Sequence, residues 1–248
     1  MSKIVAIDKT YHKTLRIDPV EVKLLGATEH LIPLVLSEFG RASTCFPIVF
    51  TKNLDTGRFS VVAMCGFEKQ ENLFFEQGSW TSYYVPLNIL RQPFFLGTED
   101  GKDGEKQIVC LDVGSPAISE EGEALFNKAG EPTPYLEKMQ LMLSQLYNGE
   151  NRTQKFVQWL AAKNLIQKMI LDIKFDNGET LKVQGIYTID EEALNQLPAG
   201  EFQDLRERGY LAFVYAMILS LDHISGMVKT RNIRNENAKG WFVRQPTN

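Results

Sequence analysis

The residues of this chain best suited to chemistry lie between Phe67 and Phe95. This stretch holds eight aromatic residues, far above the chain average of 10%, and they are interleaved with Glu68, Glu71 and Arg91. Two carboxylates can act as acid and base when their environments separate their pKa values, and an arginine can bind a carboxylate through two parallel hydrogen bonds. Aromatic walls with a few polar groups are typical of ligand pockets. The stretch therefore predicts a binding site or a catalytic site.

The predicted ligand-binding residues are five polar side chains and two aromatic side chains of this stretch, namely Glu68, Glu71, Asn72, Trp80, Tyr84, Arg91 and Gln92. Packing is the alternative interpretation, in which the rings fill the core of a sheet and Arg91 forms an ion pair with one of the glutamates. Binding requires the ionisable groups to converge in a shared cleft, whereas packing does not.

Signatures of other chemistries are missing from the sequence. It contains no GxGxxG, GxSxG or HExxH motif, and its nearest phosphate-loop match, residues 97–102, has too few residues between its glycines. The three histidines and three cysteines lack metal-ligand spacing, so no metal site and no cofactor is predicted. A net charge of −4 and a pI near 5.5 argue against a nucleic-acid partner.

The sequence also carries information on location. No apolar segment with a cleavage site follows the first residues, which predicts a cytoplasmic protein. The longest apolar run, Tyr210–Leu221, has 12 residues, whereas a helix that spans a membrane needs about 20. We therefore expect a soluble protein with a buried helix here and no membrane span. Its oligomeric state is left open.

The elements that would position the candidate residues change along the chain from strands to helices. Short apolar runs rich in β-branched and aromatic residues predict strands within 31–113, and Leu87–Leu96 is one of them. From about Ser119 the apolar spacing becomes helical. One helix is predicted from Pro134 to a stop at Asn148-Gly149, and a second helix from Thr153.

Two further local patterns lie in the C-terminal half. Strands within 170–187 flank Asn177-Gly178, a dipeptide that favours a type I′ hairpin turn. Thr188–Glu191 matches a capping box that would begin another helix. The chain is therefore predicted to be an α+β protein with an antiparallel-rich N-terminal sheet region, a mainly helical C-terminal half and a returning β-hairpin. Because no Gly/Ser/Pro-rich linker divides it, residues 1–230 are predicted to form one domain, with a flexible tail at 231–248.

Eight short segments in chain order resemble one known family. They are Phe46–Phe50, Gly66–Phe74, Trp80–Pro86, Arg91–Phe94, Glu121–Phe126, Pro132–Leu136, Gly185–Asp190 and Arg231-Asn232. Together these segments, which cover roughly residues 10–232, resemble the SapC family of bacterial proteins.

The resemblance implies an accessory role and assigns no reaction. Genes of the family tend to lie near those of flavin-dependent tryptophan-halogenase-like enzymes, cupin-like proteins and TonB-dependent receptors. We therefore expect a protein that binds a small organic ligand, a peptide or a partner enzyme through the Phe67–Phe95 segment. An enzyme that uses Glu68 and Glu71 as an acid–base pair, with Arg91 as an anion clamp, is the alternative. A structural or oligomerising protein would instead expose a large apolar patch.

Overall fold

A computed structural model describes residues 3–101, 104–234 and 241–246. Every strand pair in this part of the chain is antiparallel, and helices dominate the C-terminal half. The hairpin formed within 166–189 returns to a sheet built by strands from the N-terminal half. The predicted α+β class is confirmed.

The strands, in chain order, are β1 (Ile4–Ala6), β2 (Arg16–Ile17), β3 (Leu31–Pro33), β4 (Ile48–Lys52), β5 (Phe59–Met64), β6 (Phe75–Glu76), β7 (Ser79–Trp80), β8 (Phe94–Gly101), β9 (Gly104–Asp112), β10 (Ile118–Ser119), β11 (Glu123–Ala124), β12 (Ile166–Lys174), β13 (Thr180–Ile189) and β14 (Trp241–Pro246). The α-helices are α1 (Pro19–Leu24), α2 (Phe39–Ala42), α3 (Leu87–Leu90), α4 (Pro134–Ala162), α5 (Glu191–Asn195), α6 (Ala199–Glu207), α7 (Leu211–Ser220) and α8 (His223–Arg234).

The chain forms two compact units. The first unit comprises Met1–Ala27 and Leu87–Asn148, and the second comprises Thr28–Pro86 and Gly149–Asn248. In the first unit, β1, β9 and β8 form one sheet and β10, β2 and β11 form another. Its core contains Ile17, Phe94 and Leu111, all fully buried, and includes apolar residues of α4.

The second unit is built on a six-stranded sheet in the order β14-β12-β13-β4-β5-β3. Apolar residues of β12, including Leu171 and Ile173, pack with Ile224 and Met227 of α8 in its core. A separate two-stranded sheet pairs β6 with β7. This unit therefore contains a large sheet that is stabilised by packing and a very small one that needs other support.

The single-domain boundary stays a prediction, but the C-terminal segment has a defined local structure. The predicted flexible tail begins at residue 231, whereas α8 continues to Arg234, and both Arg231 and Asn232 are buried. Trp241–Pro246 pairs with β12 as a strand. Residues 235–240 and 247–248 lie outside the described residues. The difference arises because the position of a segment near a chain terminus does not show which of its side chains have partners inside the fold.

Helix α4 corrects the prediction of a stop at Asn148-Gly149. The helix continues to Ala162, and a Cβ atom at Gly149 would lie 2.8 Å from Cβ of Val35. The Thr153 hydroxyl donates to the carbonyl of Gly149 (2.8 Å) and accepts the amide of Leu36 (3.0 Å). Glycine here permits close packing of the helix and does not end it.

Three other local predictions are wrong in detail. Leu87–Leu90 is a helix, because a short apolar run does not by itself distinguish helix from strand. Asp190, rather than Thr188, caps α5 by accepting the amide of Ala193. The returning hairpin is present, but its turn is not type I′. Among the turn residues only Gly178 has a positive φ (+88°), as in a three-residue loop with a bulge.

Helix α7 contains the apolar run that was compared with a membrane span, and α8 follows it directly. Taken together, Leu211–Arg234 is long and apolar enough to cross a membrane, a test that core helices of soluble proteins also pass. The chain turns between Ser220 and His223, and Val214, Met217 and Ile224 are buried in the protein. The predicted cytoplasmic location stays a prediction.

Candidate functional site

A tight loop follows β5 and contains three of the predicted residues, Glu68, Glu71 and Asn72. A Cβ atom at Gly66 would lie 2.3 Å from the carbonyl oxygen of Glu71, so the loop requires glycine at this position. The Glu71 carboxylate accepts the amide of Phe67 through Oε2 (2.7 Å). The amide of Leu73 donates to the carbonyl of the fully buried Cys65 (2.8 Å), whose thiol has a pKa raised by burial. These contacts fold the loop back onto the end of β5.

Arg231 of α8 binds three carboxylates around this loop. Its Nη2 atom lies 2.7 Å from Glu68 Oε2 and 3.0 Å from Glu179 Oε1, and its Nη1 atom lies 3.3 Å from Glu71 Oε1. The guanidinium also lies over the ring of Phe175, 4.6 Å from its centroid. The Arg231 side chain is 11% exposed, whereas those of Glu68 and Glu179 are 50% and 42% exposed.

The geometry at Arg231 Nη1 differs from that at Nη2. The 3.3 Å separation from Glu71 is an ion-pair distance, but Nη1 makes no hydrogen bond among the described residues. Nη2, by contrast, donates hydrogen bonds to both Glu68 and Glu179. The cluster is therefore an ion-pair network with one buried cation and a half-exposed acidic rim.

Arg234, one helical turn after Arg231, binds the backbone of the next segment. Its Nη1 atom donates to the carbonyl of Asn72 (2.9 Å), and its Nη2 atom donates to those of Leu73 (3.2 Å) and Phe75 (2.8 Å). Asn72 is itself buried, and its side-chain oxygen accepts the amide of Phe74 (2.9 Å). One arginine thus fixes the strand that enters the hairpin.

That hairpin pairs β6 with β7 and presents aromatic side chains. Phe75 and Trp80 are cross-strand partners, and their rings contact edge to face at 6.2 Å. Gln77 and Gly78 form its two-residue turn with φ values of +48° and +80°, the combination that a type I′ turn requires. Trp80 also contacts the buried ring of Phe46 (6.3 Å).

The segment after the hairpin has a third attachment. The buried Tyr84 hydroxyl donates to Glu38 Oε1 (2.8 Å), while Glu38 Oε2 accepts the amide of Val35 (3.0 Å). Burial, reinforced by the charge of Glu38, raises the pKa of Tyr84 above its ordinary value of 10.0. Neighbouring Tyr83 is 76% exposed, and its hydroxyl contacts Thr44.

The seven predicted residues fall into two groups. Five of them lie in the second unit, and these are Glu68, Glu71, Asn72, Trp80 and Tyr84. Glu68, Glu71 and Asn72 lie together on the loop held by α8, Trp80 lies on the adjoining hairpin, and Tyr84 is bonded to Glu38.

Arg91 and Gln92 belong to the first unit. Arg91 donates to Asn88 Oδ1 and to the carbonyl of Phe94, and its guanidinium lies 4.5 Å from the ring centroid of Phe95. Burial lowers its pKa. The amide of Gln92 donates to the carbonyl of Ile89, and Gln92-Pro93 is a cis peptide bond. The ion pair between Arg91 and a glutamate, expected under the packing alternative, is not among the described contacts. Arg231 binds both Glu68 and Glu71 instead.

Sequence reasoning missed the cations that organise this site. Arg231 and Arg234 were assigned to the tail, although Met227, Val228 and Arg231 follow helical spacing and are all buried. An arginine on the apolar side of a helix requires an anionic or carbonyl partner inside the fold, and this signal could have identified Arg231.

The described residues contain no group of three or more His, Cys, Asp or Glu side chains that could hold a metal ion.

The acid–base alternative is not favoured. Both Glu68 and Glu71 are bound to one arginine, and Glu71 also accepts a backbone amide, so neither is set apart as a proton donor.

Comparison with known proteins gives one result. No curated protein and no solved structure matches the chain. The family model described as SapC matches residues 7–227 of the 248, which cover the loop and the hairpin. This match spans most of the chain, so the chain belongs to the SapC family.

Proposed function

We propose that this protein is an accessory protein that binds a partner protein through the surface formed by Phe75, Trp80 and Tyr83, here called the hairpin surface. The partner class follows from the family resemblance and is a flavin-dependent tryptophan-halogenase-like enzyme. A cytoplasmic location is part of the proposal, since both proteins must meet in one compartment.

The observation that carries the proposal is the binding of three backbone carbonyls by Arg234. A two-stranded hairpin is only marginally stable in water on its own. Here its entering strand is fixed by an arginine, and its ring pair is supported on Phe46. The rings are therefore ordered before any partner binds, which lowers the entropy cost of association.

The chemistry of the surface also favours a protein partner. Trp80 is half-buried, Tyr83 is 76% exposed, and both residue types are enriched among those that dominate binding energy at interfaces. Glu68, on the loop that leads to the hairpin, and Glu179, at the β12–β13 turn, add a half-exposed acidic rim. Such a rim favours a partner surface that carries basic residues.

The test is a binding titration between the purified chain and a purified halogenase-like enzyme from the same genome. We expect Tyr83→Ala to weaken binding by about 1–2 kcal/mol, roughly tenfold, because it removes an exposed anchor. Trp80→Phe should weaken binding less, since a ring is retained. Tyr11→Ala is the matched control, because Tyr11 is 83% exposed and lies in the first unit.

Two results would contradict the proposal. One is no association at concentrations of about 100 μM, well above those of typical specific complexes. The other is an equal loss of affinity in Tyr83→Ala and Tyr11→Ala. Circular dichroism of each variant separates a loss of contact from a loss of fold.

A further inference from the structure

The first unit contains an open cavity of about 620 Å³ that shares no residue with the hairpin surface. It lies between strands β1 and β9, the start of α4 and the bridge between Phe126 and Pro132. Its apolar lining includes Ile7, Ile108 and Leu136. The volume falls within the range of about 300–1,000 Å³ that is usual for small-molecule sites.

Opposite charges lie side by side on the wall of this cavity. Asp8 Oδ1 accepts the amides of Thr10 (2.7 Å) and Tyr11 (3.0 Å), which fixes the carboxylate in a turn. These backbone hydrogen bonds lower the pKa of Asp8. Lys9, the next residue, also lines the cavity, and Glu99 adds a second carboxylate. The wall therefore offers a fixed anion next to a flexible cation.

The remaining polar lining is formed by two amides. Gln107 comes from β9 and Gln140 from α4. Within the described part of the chain, neither amide and no atom of the Lys9 ammonium has a hydrogen-bond or ion-pair partner. Each can therefore bind a ligand without first breaking a contact to the described residues.

From this lining we propose that the cavity binds a zwitterionic small molecule with an apolar body, of the apolar amino acid or short peptide class. Lys9 binds its carboxylate, and Asp8 binds its ammonium group. The amides of Gln107 and Gln140 hydrogen-bond its peptide or polar groups, while Ile108 and Leu136 contact its apolar part. The volume favours a dipeptide over a single amino acid.

The argument for a zwitterion rests on the pairing of charges. A purely anionic ligand would bind Lys9 but would be repelled by Asp8 and Glu99, and a purely cationic ligand would be repelled by Lys9. A neutral apolar ligand would use none of the three charged groups of the lining. A molecule that carries both charges next to an apolar body satisfies the lining.

Calorimetric titration of the full chain with the dipeptide phenylalanyl-leucine tests the proposal. The matched probe is its N-acetylated amide, which keeps the apolar body and loses both charges. We expect the free dipeptide to bind at least about tenfold more tightly, because charge-assisted hydrogen bonds contribute most to discrimination. Free phenylalanine should bind more weakly than the dipeptide.

Two variants locate the site. Asp8→Asn retains an oxygen that accepts the turn amides and loses only the charge, and Lys9→Gln removes the cation. Each is expected to weaken dipeptide binding about tenfold, whereas Lys13→Gln, an exposed lysine of the same segment outside the cavity lining, should have no effect.

The proposal is overturned if neither the dipeptide nor phenylalanine binds at a concentration of about 10 mM, far above the Kd of a functional site. It is also overturned if the blocked amide binds as tightly as the dipeptide, or if Lys9→Gln and Lys13→Gln behave alike. Because none of these measurements involves the hairpin surface, they leave the proposed partner binding to its own test.

Discussion

Two of the hairpins in the second unit, β12–β13 and β6–β7, are stabilised in opposite ways. The β12–β13 hairpin pairs strands of nine and ten residues, and its apolar residues form part of the core. The β6–β7 hairpin pairs strands of only two residues and depends on Arg234, which belongs to a distant part of the sequence. Long strands carry their own stabilising contacts, whereas a short hairpin keeps its shape only through side chains supplied by other elements.

The two turns show the same contrast. The longer hairpin has one residue with positive φ, Gly178, where glycine has no steric cost. The shorter hairpin places Gln77 at φ +48°, a conformation that disfavours a residue with a Cβ atom. The β6–β7 turn is therefore retained although one of its residues is poorly suited to it.

The largest expected effect comes from Arg231→Met. This change leaves three carboxylates without their common cation, one of which, Glu71, is only 20% exposed. We expect urea denaturation to show a loss of about 2–3 kcal/mol, less than for a fully buried pair because Glu68 and Glu179 are half-exposed. Arg206→Met, at an exposed position of α6, is the control. Equal losses in both variants would show that the network contributes nothing.

Arg234→Met should loosen the β6–β7 hairpin and leave the β12–β13 hairpin unchanged. It removes the donor to three carbonyls, with an expected cost of about 1–2 kcal/mol. Hydrogen exchange should accelerate at the amide of Thr81, which donates to Phe74 across the short hairpin, and should be unchanged in β12 and β13. Lys229→Met, at an exposed position on the same helix, should change neither the stability nor the exchange rate at Thr81. Equal acceleration in both hairpins would contradict the proposed dependence on Arg234.

Tyr84→Phe tests the hydrogen bond from the Tyr84 hydroxyl to Glu38 and the pH dependence of its contribution to stability. Folding raises the pKa of Tyr84, so its contribution to stability is complete below pH 10 and is lost as the pH rises through 10 toward the higher folded value. We expect a loss of about 1 kcal/mol at pH 7 and a shallower decline above pH 10 than in the parent protein. Unfolding measured from pH 7 to 11 checks both. Tyr11→Phe should reproduce the parent curve, and an identical curve for Tyr84→Phe would refute the assignment.

The smallest effects are expected at the two turns, and they have opposite signs. Gln77→Gly relieves the positive φ and should stabilise the protein by about 0.5 kcal/mol, while Gly178→Ala introduces a Cβ at positive φ and should destabilise it by about 1 kcal/mol. Thermal unfolding of the two variants measures both. A destabilising Gln77→Gly would mean that the glutamine side chain contributes a contact that offsets its strained backbone.

Sequence patterns predicted those parts of the fold that depend on local signals. The α+β class and the returning hairpin both follow from apolar runs separated by turn residues. The type of turn at Asn177-Gly178 did not follow, because loop length also determines which residues need positive φ.

The candidate site was predictable only in part. Composition drew attention to Glu68, Glu71 and Asn72, which α8 holds together, and it also included Arg91 and Gln92, which belong to the other unit. A ligand-binding role for these residues stays a prediction. Arg231 is 163 positions from Glu68, and no local pattern indicates a pairing at that distance. Long-range ion pairs depend on how elements pack, which periodicity does not specify.

The buried Cys65 thiol can report on the opening of the loop that follows β5. Its thiol is inaccessible while Leu73 is bonded to its carbonyl, and a buried, protonated thiol does not react with alkylating reagents. In a protein whose other two cysteines are replaced by serine, the rate of alkylation at Cys65 would report how often the loop bound by Arg231 and Arg234 opens. That rate would measure in real time how much the network around α8 slows the opening of the loop.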